Sequence, residues 1–136
     1  NKYKIPKVIA EIGCNHKGEM EIAKQLLKVA AESGVEVAKF QKRTNKELLT
    51  EDQYNAPHPN PINSYGDTYG AHREFLEFDI SQHKELKDYA ENLGLIYSTS
   101  VWDTTSAKEI ASINPELMIL SLTGPFKPAK AIVTSF

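Results

Sequence analysis

Two short apolar runs that each end in polar side chains limit what this chain can fold into. Residues 8–13 carry Glu11 near their end, and residues 35–41 carry Lys39 and Gln41. A helical pattern of apolar residues separates the two runs, which is typical of a parallel β/α protein, where chemistry collects at the carboxyl ends of the strands. Buried strands tolerate such side chains only when partners satisfy them. We therefore expect a polar ligand at this edge of the sheet.

Strand and helix patterns alternate along the chain. Strands are predicted at about 7–12, 35–41, 95–99 and 117–122, and helices at about 19–33, 72–78, 82–92 and 104–113. Ser81 is predicted as the N-cap of the helix that starts at 82. Because helices separate successive strands, the sheet should be parallel with right-handed crossovers. The pattern alone fits an open doubly wound sheet and the first half of an eight-stranded barrel equally well.

The composition is that of an ordinary soluble protein of one domain. A formal net charge of −2 over 136 residues gives no reason to expect nucleic acid or an anionic membrane as a partner. No apolar run is long enough to cross a membrane, and residues 1–4 do not begin a signal peptide. The single cysteine, Cys14, excludes an internal disulfide and fits a reducing cytoplasm. We expect Cys14 to be a small buried or half-buried thiol rather than a nucleophile.

A long polar connection follows the second predicted strand. It runs from Lys42 to about Ala71 and contains several prolines. Connections of this length inside a domain are usually functional or disordered. Residues 65–70 combine two tyrosines with flexible backbone, so this stretch is either a substrate- or subunit-facing loop or an Ω-loop packed by its own tyrosines. Neither a dinucleotide-binding fingerprint nor a P-loop is present in the sequence.

Several stretches resemble the sialic acid synthase family, in the order in which that family has them. Residues 9–18, IAEIGCNHKG, resemble its E-I-G-x-N-H-x-G opening, and residues 38–42, AKFQK, are similar to its second strand. Residues 65–78 and the S-T-S end of the third strand, 98–100, match it as well. The resemblance covers about residues 7–118. It implies an α/β fold, the N-terminal portion of a (β/α)8 TIM barrel with parallel strands.

The resemblance also implies a reaction. The family condenses phosphoenolpyruvate with an N-acetylmannosamine-type sugar, or its 6-phosphate, to give a 2-keto acid and phosphate. C3 of the enol attacks the open-chain aldehyde carbon of the sugar, water adds at C2, and the tetrahedral intermediate loses phosphate. A divalent metal, Mn or Mg, is implied for the complete enzyme with ligands outside this chain. A cytoplasmic location and a homodimer are implied as well.

The residue types at the predicted strand ends fit that chemistry. Lys39 is a fixed cation for the phosphate or carboxylate of phosphoenolpyruvate, and Thr99 adds a hydroxyl donor. Gln41 offers a donor and an acceptor to sugar hydroxyls. Glu11 is expected to orient the sugar or water, or to transfer a proton if burial raises its pKa. The candidate site consists of Glu11 and His16 as catalytic residues and of Lys39, Gln41, Thr99, Asn15 and Ser98 as substrate-binding residues.

Each assignment has a structural alternative. Lys39 and Glu11 can simply pair across neighbouring strands, and His16 can cap or pack its loop instead of acting in catalysis. Trp102 is expected to pack under the following helix rather than to stack on a sugar. A Schiff-base role for Lys39 is conceivable, but the resemblance disfavours it. Three other histidines lack metal-ligand spacing and are expected at the surface or in helix packing: His58, His72 and His83.

The resemblance ends near Ile119. The family's next strand reads K-I-[PG]-S, whereas this chain reads LMILS at 117–121, so the lysine is missing and Ser121 alone can replace the serine. The predicted domains are a partial synthase barrel at 1–118 and a divergent tail at 119–136. Half a barrel leaves open strand edges, so we expect little or no synthase activity from this polypeptide alone.

Two other functions stay open at the level of sequence. One is a noncatalytic half-barrel that binds sugar or phosphate through Lys39 and Gln41 without a metal. The other is a different phosphoenolpyruvate-dependent synthase that acts on another sugar phosphate.

Overall fold

Parallel strands and helices alternate in the computed structural model, which describes residues 5–121. The strands are β1 (Ile9–Gly13), β2 (Val37–Lys42), β3 (Ile96–Val101) and β4 (Leu117–Leu120). The helices are α1 (Met20–Glu32), α2 (Asn45–Leu48), α3 (Glu51–Asn55), α4 (Tyr69–Phe75), α5 (Ile80–Asn92) and α6 (Thr104–Ser112), with a 3-10 turn at Pro61–Asn63. The strand order is β1-β2-β3-β4 and each neighbouring pair is parallel, as the sequence predicts.

The side chains of the strands divide between two faces of the sheet. Glu11 lies opposite Lys39, and Lys39 lies opposite Ser98, so these three side chains share one face. The same alternation adds Gln41 and Ser100 to it. We call this set the polar face: Glu11, Lys39, Gln41, Ser98 and Ser100. The opposite face packs against helices and is called the helix face.

The hydrophobic core lies between the helix face and the helices α1 and α5. Phe40 of β2 is fully buried there and stacks on Tyr97 of β3, with ring centroids 6.0 Å apart. His83 of α5 meets both rings edge-on and hydrogen-bonds to the Tyr97 hydroxyl at 2.6 Å. Small and aliphatic residues of the two helices complete this cluster: Ala23, Leu27, Ala30, Leu86 and Ala90. Burial of their apolar surface stabilises the sheet on which the polar face is built.

Helix α5 begins at Ile80 and is capped by Asp79. The Asp79 carboxylate accepts a hydrogen bond from the backbone N–H of Gln82 at 2.8 Å. In return, the side-chain oxygen of Gln82 accepts one from the backbone N–H of Asp79 at 2.9 Å. The prediction that Ser81 is the N-cap is wrong, because Asp79 forms this reciprocal capping box with Gln82 and Ser81 already lies inside the first turn of the helix.

Strand β4 contains the predicted domain boundary at 118/119. Its residues pair with β3, and the backbone N–H of Ser121 still donates to the carbonyl of Val101 at 2.9 Å. Residues 1–4 and 122–136 lie outside the described residues, and with them Leu122 of the predicted fourth strand and most of the predicted tail. The division into a partial barrel and a divergent tail therefore stays a prediction.

Candidate active site

The ammonium group of Lys39 occupies the centre of the polar face. It forms an ion pair with Glu11 of β1 and donates a hydrogen bond to the hydroxyl of Ser100 on β3 at 2.9 Å. The Lys39 side chain is 14% exposed and the Glu11 side chain 52%, so the cation lies inside the site and the carboxylate at its open side. An ammonium group has three N–H donors, and these two contacts leave one for an anion. The ion pair between Lys39 and Glu11, which was considered as a structural alternative, is thus present. It does not use all the hydrogen-bond donors of Lys39.

Of the two hydroxyl residues predicted to bind substrate, the structure places only Ser98 beside Lys39. Ser98 lies opposite Lys39 on the polar face, and its hydroxyl is buried without a hydrogen-bond partner among the described residues. Thr99 lies opposite Phe40 on the helix face, where its hydroxyl is also buried. The register thus separates the Thr99 side chain from Lys39, because successive side chains of a strand point to opposite faces. A role for Thr99 in substrate binding stays a prediction.

The amide of Gln41 lies on the polar face, two residues beyond Lys39. Its oxygen Oε1 is 3.6 Å from the sulfur of Cys14. Its nitrogen Nε2 lies 3.2 Å from the point where a Cβ at Gly13 would stand, and Oε1 of Glu11 lies 3.4 Å from that point. Gly13 has a φ of +55°, so its bare backbone both makes the turn and leaves room for these two polar groups. Glu11 and Gln41 therefore meet at the carboxyl end of β1.

A second ion pair, which the sequence analysis did not identify, lies beside this site. Nε of Arg43 is 2.6 Å from Oε1 of Glu77, and the backbone N–H of Arg43 donates to Oε2 at 3.0 Å. Both side chains are largely buried, and burial raises the pKa of the Glu77 carboxyl against the opposing charge of Arg43. The ring of Trp102 lies 6.0 Å from the guanidinium carbon. The polar run after Phe40 signals Arg43, but nothing local indicates a partner 34 positions away.

The loop after β1 contributes Asn15 and His16 in different ways. The exposed amide of Asn15 donates to a backbone carbonyl of β1 at 2.9 Å. The His16 ring is 1% exposed and stacks on Phe78 with ring centroids 4.0 Å apart, while its Nδ1 accepts a hydrogen bond from the backbone N–H of Gly18. Burial, and then the charge of Arg43, lowers the pKa of His16 to about 4. This position favours the packing alternative, and the catalytic role of His16 stays a prediction.

A pocket of about 370 Å³ opens between the loop after β1 and the long connection after β2. Cys14 and Asn15 line one side, and Ile62, Asn63 and Tyr65 line the other. The pocket adjoins the polar face, because Cys14 both lines the pocket and contacts the amide of Gln41. Asn15 is the one residue of the predicted set that lines this pocket directly.

Within the long connection, residues 56–69 form an Ω-loop that makes the outer wall of this pocket. Its ends meet where the backbone N–H of Tyr69 donates to the carbonyl of Ala56 at 2.8 Å. The ring of Tyr65 stacks on Phe75 with centroids 4.7 Å apart, and its backbone N–H donates to Nδ1 of His72 at 3.1 Å. Tyr65 therefore packs on residues of α4 rather than on another tyrosine of the loop, and the loop also faces the pocket.

The described residues do not provide a metal site. Within the range 5–121, no group of three or more His, Cys, Asp or Glu side chains is placed to hold a metal ion. The divalent metal that the resemblance implies does not fit these residues. No helix in the same range is long and apolar enough to cross a membrane.

Comparison with known proteins places this geometry in context. A model of the NeuB family matches residues 26–121. The N-acetylneuraminate-9-phosphate synthase of Mus musculus is 38% identical over 112 residues, which are 79% of this chain and 30% of that relative. The chain therefore spans about 30% of the length of this relative.

Two solved structures share the fold. The sialic acid synthetase of Leptospira borgpetersenii superposes with a TM-score of 0.62 at 20% identity, over 81% of this chain and 34% of that one. A spore coat polysaccharide biosynthesis protein of Bacillus subtilis superposes with a TM-score of 0.57 at 25% identity, over 84% and 28%. The predicted fold class is confirmed: the strands and helices are arranged as in the N-terminal part of a TIM barrel.

Proposed function

The chain belongs to the NeuB family, and from this we propose that it forms part of a synthase that condenses phosphoenolpyruvate with an N-acetylmannosamine-type sugar and releases phosphate. The observation that carries the proposal is the Lys39 ammonium group, which is held on the polar face by Glu11 and Ser100 and keeps one donor for an anion. The relative at 38% identity is named for the synthesis of N-acetylneuraminate 9-phosphate, which supports a reaction of this class.

The proposed phosphoenolpyruvate subsite consists of Lys39 and Ser98. A charge-assisted hydrogen bond from Lys39 to the phosphate or carboxylate supplies most of the affinity, because such bonds are about twice as strong as neutral ones. The buried hydroxyl of Ser98 has no partner among the described residues, and leaving such a group unpaired costs about 1–3 kcal/mol. An anion that accepts a hydrogen bond from this hydroxyl removes that cost, which supports placing the ligand beside Ser98.

The proposed sugar subsite lies at the carboxyl end of β1, where Gln41 and Glu11 meet and where the pocket lined by Asn15 begins. Gln41 and Asn15 hold the sugar through its oxygen atoms and bring the aldehyde carbon to C3 of the enol. Attack of C3 turns the aldehyde oxygen into an alkoxide, and water addition at C2 releases a proton. We assign the carboxylate of Glu11 as the group that accepts this proton and passes it to the alkoxide. The tetrahedral intermediate then expels phosphate, whose negative charge Lys39 continues to balance.

Turnover requires more than the described residues supply. They offer no group of three metal-ligating side chains. Their four strands form a wall on only one side of the proposed site. We propose that a divalent metal, Mn or Mg, is held by residues outside the range 5–121, and that the complete enzyme is a cytoplasmic homodimer. The 136-residue polypeptide by itself is expected to bind phosphoenolpyruvate with little or no turnover.

A noncatalytic half-barrel that binds sugar or phosphate is the second candidate function. The observation that favours it is the same lack of a metal-ligating group within the described residues. On this alternative, Lys39 and Gln41 keep their ligand contacts but serve binding alone.

Calorimetry of the purified chain separates these functions. We titrate phosphoenolpyruvate, inorganic phosphate and N-acetylmannosamine, each with and without manganese, and assay the mixtures for phosphate release. Preference for phosphoenolpyruvate over inorganic phosphate, without manganese, supports the synthase subsite. Equal affinity for the two anions supports the binding half-barrel, and no binding of either contradicts both. Robust metal-dependent phosphate release refutes the expectation that this polypeptide is inactive alone.

A further inference from the structure

Four polar side chains form a continuous line of contacts from the segment between α4 and α5 to the polar face. The Glu77 carboxylate accepts hydrogen bonds from Nε of Arg43 at 2.6 Å and from the backbone N–H of Arg43 at 3.0 Å. Nη2 of Arg43 is 3.3 Å from the sulfur of Cys14, and that sulfur is 3.6 Å from Oε1 of Gln41. The line begins at a largely buried ion pair and ends at a residue of the proposed sugar subsite.

The direction of each hydrogen bond in this line follows from the chemistry of its donors. A guanidinium group only donates, so the contact from Arg43 uses a lone pair of the Cys14 sulfur. The single thiol proton is then available to Oε1 of Gln41, which can only accept. The carbonyl end of the Gln41 amide therefore faces Cys14. Its Nε2 faces the other way, 3.2 Å from where a Cβ at Gly13 would stand.

We infer that Cys14 is a positioning residue, which transmits the fixed orientation of Arg43 to the amide of Gln41 so that Nε2 is directed into the site as a donor. This inference rests on the proposed function for its ligand, a sugar that offers a hydroxyl or acyl oxygen as the acceptor. If the Gln41 amide is rotated by half a turn, its carbonyl oxygen points into the site instead of Nε2. That oxygen repels the acceptor oxygen of the sugar. Cys14 thus sets which polar atoms of the sugar are accepted, without touching the reacting carbons.

The protonation state of Cys14 decides whether this arrangement holds. Burial raises the pKa of the thiol, the charges of Glu77 and Glu11 add to that rise, and Arg43 and Arg73 oppose it. The proton is therefore in place at neutral pH. A thiolate only accepts, so deprotonation turns Nε2 of Gln41 toward the sulfur and reverses the amide.

Nuclear magnetic resonance of the full ¹⁵N-labelled chain, without ligand, tests the inference directly. The side-chain amide signals of Gln41 are assigned from their loss in Gln41→Leu, and thiolate formation is followed by ultraviolet absorbance. We expect these signals to move with the same midpoint as the thiolate when the pH is raised. Cys14→Ser should keep the neutral-pH signals and show no transition, and Cys14→Ala should shift them at neutral pH. The inference is overturned if the Gln41 amide signals are unchanged in Cys14→Ala, or if their pH transition persists in Cys14→Ser.

Titration with N-acetylmannosamine adds the functional readout. We expect Cys14→Ala to weaken binding about tenfold, the value of one positioned hydrogen bond, and Cys14→Ser to stay within about twofold of the unmodified chain. If the amide signals follow the thiol but the unmodified chain binds no sugar, the proposed function fails and the positioning role stands. If the sugar binds equally well to all three proteins, the positioning role fails and the proposed function stands.

Discussion

Lys39 is the residue on which the proposed anion subsite depends. We expect Lys39→Met to weaken phosphoenolpyruvate binding roughly ten- to hundredfold, since a hydrogen bond to a charged group contributes about 1.5–3 kcal/mol. The substitution also leaves the Glu11 carboxylate without its partner, and that charge repels the incoming anion. Calorimetry of the variant against phosphoenolpyruvate measures the change.

A second lysine provides the matched control for this experiment. Lys84 pairs with Asp88 at 2.8 Å on the exposed surface of α5, a helix that packs on the helix face and not on the polar face. Lys84→Met removes the same charge and the same number of atoms, and we expect it to leave phosphoenolpyruvate binding unchanged. Equal binding by Lys39→Met and Lys84→Met would remove the anion subsite from the polar face.

Gly13 is the residue whose lack of a side chain gives room to the proposed sugar subsite. Gly13→Ala places a Cβ 3.2 Å from Nε2 of Gln41 and adds the strain of a positive φ, about 1–2 kcal/mol. We expect lower stability in urea unfolding and weaker N-acetylmannosamine binding. Gly34→Ala is the control, because Gly34 has a φ of +76° and nothing within 4 Å of its Cβ position. It should lose similar stability and keep its binding, and a binding loss equal to that of Gly13→Ala would contradict the crowding argument.

The sequence predicts which residue types reach the site better than it predicts which side chains face it. The positions of Glu11, Lys39 and Gln41 could be predicted, because the end of a strand is visible in its apolar pattern. When hydroxyl residues follow one another, as at 98–100, the sequence does not show which of them point to which face of the sheet. Only the register with β2 shows that Ser98 faces Lys39 and that Thr99 faces the helices.

At the scale of elements, the assignment of Asp79 as the N-cap of α5 can be tested by mutation. Asp79→Ala removes the carboxylate that accepts the N–H of Gln82, and we expect it to lower the free energy of unfolding by about 1 kcal/mol. Ser81→Ala, at the residue that the sequence favours as the cap, should change it by less than about 0.5 kcal/mol. Urea denaturation followed by circular dichroism measures both. A larger loss in Ser81→Ala than in Asp79→Ala would reverse the assignment of the cap.

The elements themselves follow from local patterns, whereas their bounds follow from side-chain contacts. Helix α1 matches its predicted span closely because apolar spacing and Gly34 define it. Helix α4 begins at Tyr69, three residues before the predicted start, because the Thr68 hydroxyl accepts the N–H of Ala71. The same limit explains why the Arg43–Glu77 pair was not predicted: tertiary structure alone brings the residue after β2 against the segment between α4 and α5.

At the scale of the whole molecule, the two faces of the sheet serve different purposes. Two buried histidines, His16 and His83, pack against the helix face among aromatic rings. Burial, with a smaller contribution from Lys42, lowers the pKa of His83 to about 3. Burial, with a smaller contribution from Arg43, lowers that of His16 to about 4. Both rings are therefore neutral in the folded protein at pH 7, and the stability of the fold becomes dependent on pH.

The sign of that dependence follows from comparing the folded and unfolded chains. An unfolded histidine titrates near 6.5, so below that pH the unfolded chain binds more protons than the folded one. The free energy of unfolding is therefore at its full value above about pH 6.5 and falls as the pH drops toward the folded pKa values. Between pH 7 and 5 we expect a loss on the order of 2 kcal/mol for each histidine. Urea denaturation at the two pH values measures this loss.

Variants of the two histidines separate their contributions. His83→Gln and His16→Gln each lower stability at pH 7, because each removes a packed ring, but each should also cut the difference between pH 7 and pH 5 by about half. The double variant should retain little of that difference. Carboxylates with ordinary pKa values near 4 contribute less in this range. The pKa of Glu77 is raised by burial, so this carboxyl binds a proton more readily in the folded chain and opposes the loss rather than adding to it. A pH difference that is unchanged in the double variant would show that both rings take up protons as readily in the folded chain as in the unfolded one, which contradicts the effect of their burial among Phe40, Phe78 and Tyr97.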